Sequence, residues 1–155
     1  MRSKVVIFDL DGTLADIEAR RKLSTRENGK IHWGMFFDPK NIEMDLPNWP
    51  VIETFKALQN AGFRCIIFSG RGGATRTATV SWLDKFGIKP EILKMRPLNS
   101  FTPDEILKRD WLNLLELEHG ITKEDILCIF DDRDKVVKMW REEGITCMQV
   151  APGSF

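Results

Sequence analysis

The sequence predicts an α/β protein built on a parallel sheet with helices on both faces. Past residue 50, extended and helical patterns alternate. The extended runs are almost continuously apolar, as strands buried on both faces must be. The best-defined of them end on polar clusters, and in sheets of this kind a site lies beyond the carboxyl ends of the strands.

The first run, Val5-Val6-Ile7-Phe8, reads as a buried strand that stops on Asp9-Leu10-Asp11-Gly12. Residues 15–50 then break the alternation. They carry Arg20, Arg21, Lys22, Arg26 and Lys30, together with His32, Trp33, Phe36, Phe37 and Pro47-Asn48-Trp49-Pro50. Inserted straight after the first strand, this segment is expected to sit over the strand ends as a small cap. Val51, Ile52, Phe55 and Leu58 recur at helical spacing, with Gly62 as the stop. Phe63 to Phe68 reads as a second buried strand, ending at Ser69-Gly70-Arg71. Residues 74–86 read as a helix with Val80, Leu83 and Phe86 on one side and Gly87 at its end. Ile92 to Met95 is a short strand. Thr102-Pro103-Asp104-Glu105 has the form of a capping box with an early proline and early acids, opening a helix to about His119 closed by Gly120. Ile126 to Phe130 is another apolar run that stops on paired carboxylates, Asp131-Asp132. Arg133 to Glu143 is helical, Gly144 caps it, and Ile145 to Val150 is the last strand.

The totals bound the rest. A chain of 155 residues, 43% hydrophobic and 30% charged, is expected to form one globular domain over residues 1–155. Its formal net charge is zero, which argues against a broad sequence-independent grip on a nucleic-acid backbone but leaves room for a site that handles one phosphate. Cys65, Cys128 and Cys147 lie within or beside apolar runs without CxxC spacing and read as buried, reduced thiols. Arg2 and Lys4 are followed by only four apolar residues before Asp9, so no signal peptide is expected. No apolar stretch approaches the ~20 residues of a membrane span. The expectation is a soluble, cytoplasmic protein.

The polar strand ends Asp9/Asp11, Ser69/Arg71 and Asp131/Asp132 converge on one crevice. Two carboxylates one residue apart repel, and a metal ion, a lysine or plain exposure would each resolve that. Three carboxylates at the mouth of a sheet suit a hard divalent cation with oxygen ligands, most simply Mg²⁺. Ser69 and the amides of the Gly70 turn are suited to a phosphate beside it, with lysine and arginine neutralising developing charge. Carboxylate, Mg²⁺ and lysine together form a kit for phosphoryl transfer through an aspartyl-phosphate.

Asp9-Leu10-Asp11-Gly12-Thr13, Ser69-Gly70-Arg71, a later lysine and Asp131-Asp132 resemble, in order, the four motifs of haloacid dehalogenase (HAD) superfamily phosphatases. Met95-Arg96-Pro97, the helix carrying Lys108 and the stretch from Phe130 to Val150 are similar to the 3′-phosphatase domain of phage-type polynucleotide kinase/phosphatases. The resemblance covers the core from end to end and the cap by position and length. It implies a Rossmann-like three-layer sandwich and a specific division of labour. Asp9 would be the nucleophile and a Mg²⁺ ligand. Asp11 would be the general acid and then the base, its backbone carbonyl on the metal. Ser69 and Lys108 would bind the transferring phosphoryl group, with Gly70 in the binding turn. Asp131 would ligate the metal and Asp132 would hold its water shell. Arg71 and Arg96 match residues used on substrate phosphate, and Arg133 is expected to be structural. No GxxxxGK[ST] loop occurs, so kinase activity is not expected of this chain.

The implied substrates are 3′-phosphorylated RNA or DNA ends or nucleotides, with no membrane partner; a phage-encoded copy would work in the host cytoplasm. Rival readings are a nucleotidase acting on free 5′- or 3′-mononucleotides, and a nucleotide- or end-binding protein without catalysis. The preference between RNA and DNA and the oligomeric state stay open. His32 and His119 read as non-catalytic, because carboxylates already supply the acid–base groups. Lys94 is the nearest rival to Lys108. Arg20 to Lys22 reads as a solvated helix face, while Trp33, Phe36 and Phe37 fit base stacking and cap packing equally well.

Overall fold

The structure is a computed structural model and describes residues 4–155. Strand β1 (Val5–Phe8) is followed by β2 (Ala15–Asp16), α1 (Glu18–Ser24), α2 (Trp33–Phe36), α3 (Pro39–Ile42) and β3 (Leu46–Pro47). The chain continues through α4 (Trp49–Asn60), β4 (Arg64–Gly72), α5 (Arg76–Lys85), β5 (Ile92–Arg96) and α6 (Asp104–His119). It closes with β6 (Ile126–Asp131), α7 (Asp134–Glu142) and β7 (Cys147–Gln149).

Five strands form one sheet in the order β5-β4-β1-β6-β7, and every neighbouring pair is parallel. This is the three-layer α/β architecture expected from the alternation. Because side chains alternate along a strand, Val5 and Ile7 face one layer and Val6 and Phe8 the other. The first layer is α6 and α7, packed through Leu107, Trp111, Leu115, Val136 and Trp140. The second is α4 and α5, packed through Ile52, Phe55, Trp82 and Leu83, joined by Leu14, Ile17 and Phe36 from the segment after β1.

A register irregularity sets the position of the site. Val5 pairs with Ile126 but Val6 pairs with Cys128, so β6 carries one extra residue. From there Phe8 runs level with Phe130, their rings stacked 4.7 Å apart. The Asp9 N–H donates to the Phe130 carbonyl at 2.9 Å, so the strands deliver Asp9 and Asp131 side by side.

Some local expectations change. Val80 is exposed, and α5 packs instead through Ala78, Thr79, Trp82 and Leu83, whose spacing keeps a bulky indole on the buried side. α6 starts where expected and ends on Gly120 in the left-handed region (φ 67°), but the capping box does not form. The Pro103 carbonyl takes the Ile106 and Leu107 N–H groups, while the Asp104 carboxylate is held by Arg96 and Arg133. β4 runs on through Ser69-Gly70-Arg71 rather than stopping at Phe68, because Ser69 and Gly72 still pair with β5. The last strand is shorter than expected. Between β1 and α4, β2 and β3 pair antiparallel, with α1 to α3 between them. Among the described residues no helix is long and apolar enough to cross a membrane, and all three cysteines are buried and free.

Candidate active site

Two charge clusters meet at the carboxyl ends of β1, β4 and β6. The first contains Asp9, Asp131 and Asp132, all buried, with one carboxylate oxygen of each lying within 4.8 Å of the others. Lys108, itself 2% exposed, comes up from α6 between them, its Nζ 2.8 Å from Asp9 Oδ1 and 3.1 Å from Asp131 Oδ2. The Thr13 hydroxyl donates to Asp9 Oδ2 at 3.1 Å. Asp131 is fixed further by the Asp132 N–H at 2.9 Å and the Trp140 indole N–H at 3.3 Å.

Electrostatics follow from crowding. Burial and the neighbouring Asp131 and Asp132 carboxylates hold the Asp9 carboxyl well above the usual range, against the pull of Lys108. Burial and Asp131 likewise raise Asp132. Burial works against the Lys108 ammonium, but Asp131 and Asp9 outweigh it and push its pKa up. Three carboxylates thus share one lysine, a surplus of negative charge made only of oxygen donors. That donor set fits a hard divalent cation such as Mg²⁺.

The second cluster holds Asp11. Its carboxylate does not join the trio. It accepts from Arg71 Nε at 2.9 Å and from Arg20 Nη2 at 2.7 Å. Asp45, buried at the end of the segment after β1, takes Arg20 through Nε (3.0 Å) and Nη2 (2.9 Å) and takes Arg71 Nη2 at 3.1 Å. Two guanidiniums and two carboxylates therefore balance. Burial works to raise Asp11, but Arg71 and Arg20 outweigh it and hold the carboxyl below its ordinary value. The repulsion posed by Asp9-Leu10-Asp11 is relieved by a lysine on one carboxylate and two arginines on the other.

The other expected site residues are placed as follows. Ser69 is buried, its hydroxyl accepting the Arg71 N–H at 3.2 Å. Gly70 lies within β4 and not in the expected turn, and a Cβ there would lie 2.6 Å from Asp104 Oδ1 at the start of α6. Arg71 aims its remaining donor at Thr79 (3.1 Å), so its guanidinium is directed at protein groups. Arg96 is joined to neither cluster; it braces the loop before α6 through the Gly70 carbonyl (2.9 Å), the Thr102 carbonyl and Asp104. Arg133 ties Asp104 (2.8 Å) to the Phe155 carbonyl (2.7 Å). Lys94 pairs with Glu118 away from the trio. His32 caps α2 by accepting the Met35 N–H, and His119 is exposed at the far end of α6 from Lys108.

Sequence reasoning missed Arg20 and Asp45, and treated Arg20 as part of a solvated face. The structure overturns that: Arg20 is 2% exposed, with its guanidinium over the Phe36 ring at 4.4 Å. Phe36 is buried there, whereas Trp33 stands 61% exposed against Phe37. The buried positions of α1, Arg20 and Ser24, are both polar, so no apolar periodicity signalled that an arginine points inward.

Residues 3–155 match the family model for the polynucleotide kinase PNKP phosphatase domain. The chain belongs to that family. This PNKP-type phosphatase domain is 32% identical over 142 residues to a protein of Autographa californica nuclear polyhedrosis virus described as a bifunctional polynucleotide kinase/RNA ligase, covering 90% of this chain and 18% of that one. It is 34% identical to a chain of the Pnkp1/Rnl/Hen1 RNA repair complex, with a TM-score of 0.76 over 99% of this chain and 44% of that chain. The domain thus spans less than half the length of either relative. A haloacid dehalogenase-like hydrolase of Streptococcus pneumoniae shares the fold, with a TM-score of 0.69 at 13% identity over 95% of this chain and 84% of that one. The PNKP-type domain accordingly has the Rossmann-like HAD fold.

Proposed function

We propose that this phosphatase domain removes 3′-phosphates from RNA or DNA ends through a phospho-Asp9 intermediate, with Mg²⁺ as its cofactor. The observation that carries the reading is the buried Asp9 carboxylate at the end of β1, clamped between Lys108 and the Thr13 hydroxyl within the trio Asp9, Asp131 and Asp132. The metal would be held by Asp9, Asp131 and the backbone carbonyl of Asp11, with Asp132 on its water shell. Bound there, Mg²⁺ supplies charge neutralisation at the phosphoryl oxygens.

In the forward step an Asp9 oxygen attacks phosphorus while the bond to the 3′ oxygen breaks, and Asp11 delivers a proton to that leaving oxygen. Lys108 and Ser69 neutralise and hold the phosphoryl oxygens. Water then attacks phosphorus, Asp11 takes its proton, and the Asp9–phosphorus bond breaks to release inorganic phosphate. Arg20 and Arg71 keep Asp11 ionised, the form needed in this second step. The first step requires a protonated Asp11, and a dianionic phosphate brought beside the carboxylate favours that form by repulsion.

The experiment is phosphate release, with Mg²⁺ and with EDTA, from matched 3′- and 5′-phosphorylated RNA and DNA oligonucleotides alongside free 3′- and 5′-mononucleotides. Magnesium-dependent release from 3′ ends is the expected result. Release mainly from free 5′-mononucleotides would replace the substrate assignment, and no release from any phosphate ester would remove the catalytic reading.

A further inference from the structure

Asp132 and Arg133 lie between β6 and α7, outside both sheet and helix, yet the Asp132 carboxylate stands with those of Asp9 and Asp131. Backbone polar groups at a buried site need partners, and here side chains and a neighbouring segment supply them. The Asp132 N–H donates to Asp131 Oδ1 at 2.9 Å. The Asp132 carbonyl accepts from Gln149 Nε2 at 2.9 Å. The same Nε2 donates its second hydrogen to Asp134 Oδ1 at 2.6 Å. Register explains the reach, since β7 sets Gln149 opposite Asp131, one residue before the carbonyl it holds.

The residues after β7 complete the brace. No side chain caps α7 at Arg133, and the Asp134 N–H donates instead to the Gly153 carbonyl at 2.7 Å. Gly153 is buried against the same two residues. A Cβ there would overlap the Asp132 carbonyl oxygen and lie 2.7 Å from the Arg133 Cα. Two residues on, the Phe155 carbonyl takes Arg133 Nε at 2.7 Å. Its ring meets the guanidinium of Arg133 at 5.4 Å and that of Arg21, on α1, at 4.3 Å. Gln149 and Gly153 thus reach Asp132 through its main chain.

We propose that Gln149 and Gly153 are positioning residues for the divalent cation, because by fixing the Asp132 peptide they set where its carboxylate stands. The inference rests on the reading that Asp9, Asp131 and Asp132 hold Mg²⁺. It adds that affinity for the cation depends on a strap outside the trio.

The test is Mn²⁺ binding to the full chain, read from the electron paramagnetic resonance signal of the free ion, beside thermal melting. Asp131→Asn is expected to lose the ion, which marks the trio as its site. Gln149→Met removes both donors at similar length, and Gly153→Ala either displaces the Asp132 peptide or lifts the strap. Each is expected to weaken Mn²⁺ binding by about 2- to 10-fold, the worth of one hydrogen bond. Gln149 is exposed, so Gln149→Met should leave the melting temperature almost unchanged. Gln149→Glu separates position from charge: the added anion alone would tighten the ion, whereas a displaced Asp132 loosens it. In phosphate release, the half-saturating Mg²⁺ concentration should rise by the same factor while kcat at saturating Mg²⁺ stays near the wild-type value. If the wild type binds Mn²⁺ and Asp131→Asn loses it, but Gln149→Met and Gly153→Ala bind as the wild type does, the positioning role is wrong and the metal reading stands. Tighter binding in Gln149→Glu would overturn it as well. If the wild type binds no Mn²⁺, or Asp131→Asn binds it equally well, both fall.

Discussion

Lys108 is the side chain on which the carboxylate trio Asp9, Asp131 and Asp132 balances. Its ammonium touches both Asp9 and Asp131, and burial of all three means that removing it leaves carboxylates stranded in a low-dielectric site. Lys108→Met is expected to cost roughly 3–5 kcal/mol of stability by urea unfolding, and to cut phosphate release by about 10²–10³-fold as a lost charge donor to the phosphoryl group. Asp9→Asn should abolish phosphate release with the far-UV and near-UV circular dichroism unchanged. Asp11→Asn should lose about 10²–10⁴-fold, the usual worth of a general acid–base group. The cysteines provide a contrasting residue-scale expectation. Burial pushes the Cys65 and Cys147 thiols up to about 12 and raises Cys128 as well. A thiol reagent at pH 8 should therefore label none of them until denaturant is added.

At the scale of elements, the turn after β1 is the most constrained segment. Gly12 adopts φ +82°, and a Cβ there would lie 2.1 Å from Asp132 Oδ2. The turn needs glycine twice over, for its backbone conformation and for the approach of the Asp132 carboxylate just past β6. Gly12→Ala is expected to displace Asp132 and to cost about 1 kcal/mol or more in left-handed strain. Phosphate release should then fall far more than the melting temperature, which a paired activity and thermal-melt measurement reads directly. The opposite corner, the loop into α6, is braced by Arg96 and Arg133 converging on Asp104. That brace accounts for a helix start that looks like a capping box in sequence and is held by tertiary ion pairs in the fold.

At the scale of the molecule, the Arg20–Asp45–Arg71–Asp11 network fastens the segment between β1 and α4 to the strand ends. Asp45 is the segment's own carboxylate in it, binding both guanidiniums as Asp11 does from the strand end. Burial pushes its carboxyl up to about 6, with Arg20 and Arg71 pulling the other way. A carboxyl raised in the folded state is stabilising in its protonated form. Its contribution is complete below the ordinary aspartate value and is lost as pH rises through about 6. Asp45→Asn should therefore flatten the pH dependence of the melting temperature between roughly pH 4 and 6. Asp45→Ala, which strands two buried guanidiniums, should lose roughly 3–5 kcal/mol at neutral pH and misplace Asp11.

Much of this protein is written locally. Continuous apolar runs ending on Asp9, Ser69 and Asp131 specify a parallel sheet and put polar and charged groups at its carboxyl edge, because strand burial and strand ends are short-range properties of a chain. Lys108 was named from the family resemblance, since a lysine in mid-helix carries no signal of its own, and the fold places its ammonium between Asp9 and Asp131. Pairings between distant segments were not legible. Arg20 looks like one of three surface cations, and only the packing of α1 over Phe36 turns it inward to Asp11 and Asp45. Arg71 has the motif position of a phosphate ligand, yet its donors are directed at Asp11, Asp45 and Thr79 once β4 and α5 pack. Trp82 replaces Val80 in the core because the layer it meets is set by the Asp45 carbonyl, which its indole N–H reaches at 2.9 Å. Charge in a sequence has a sign but no partner. Which opposite charge it meets is decided when elements far apart in the chain are buried together, where an unpaired charge costs too much to remain.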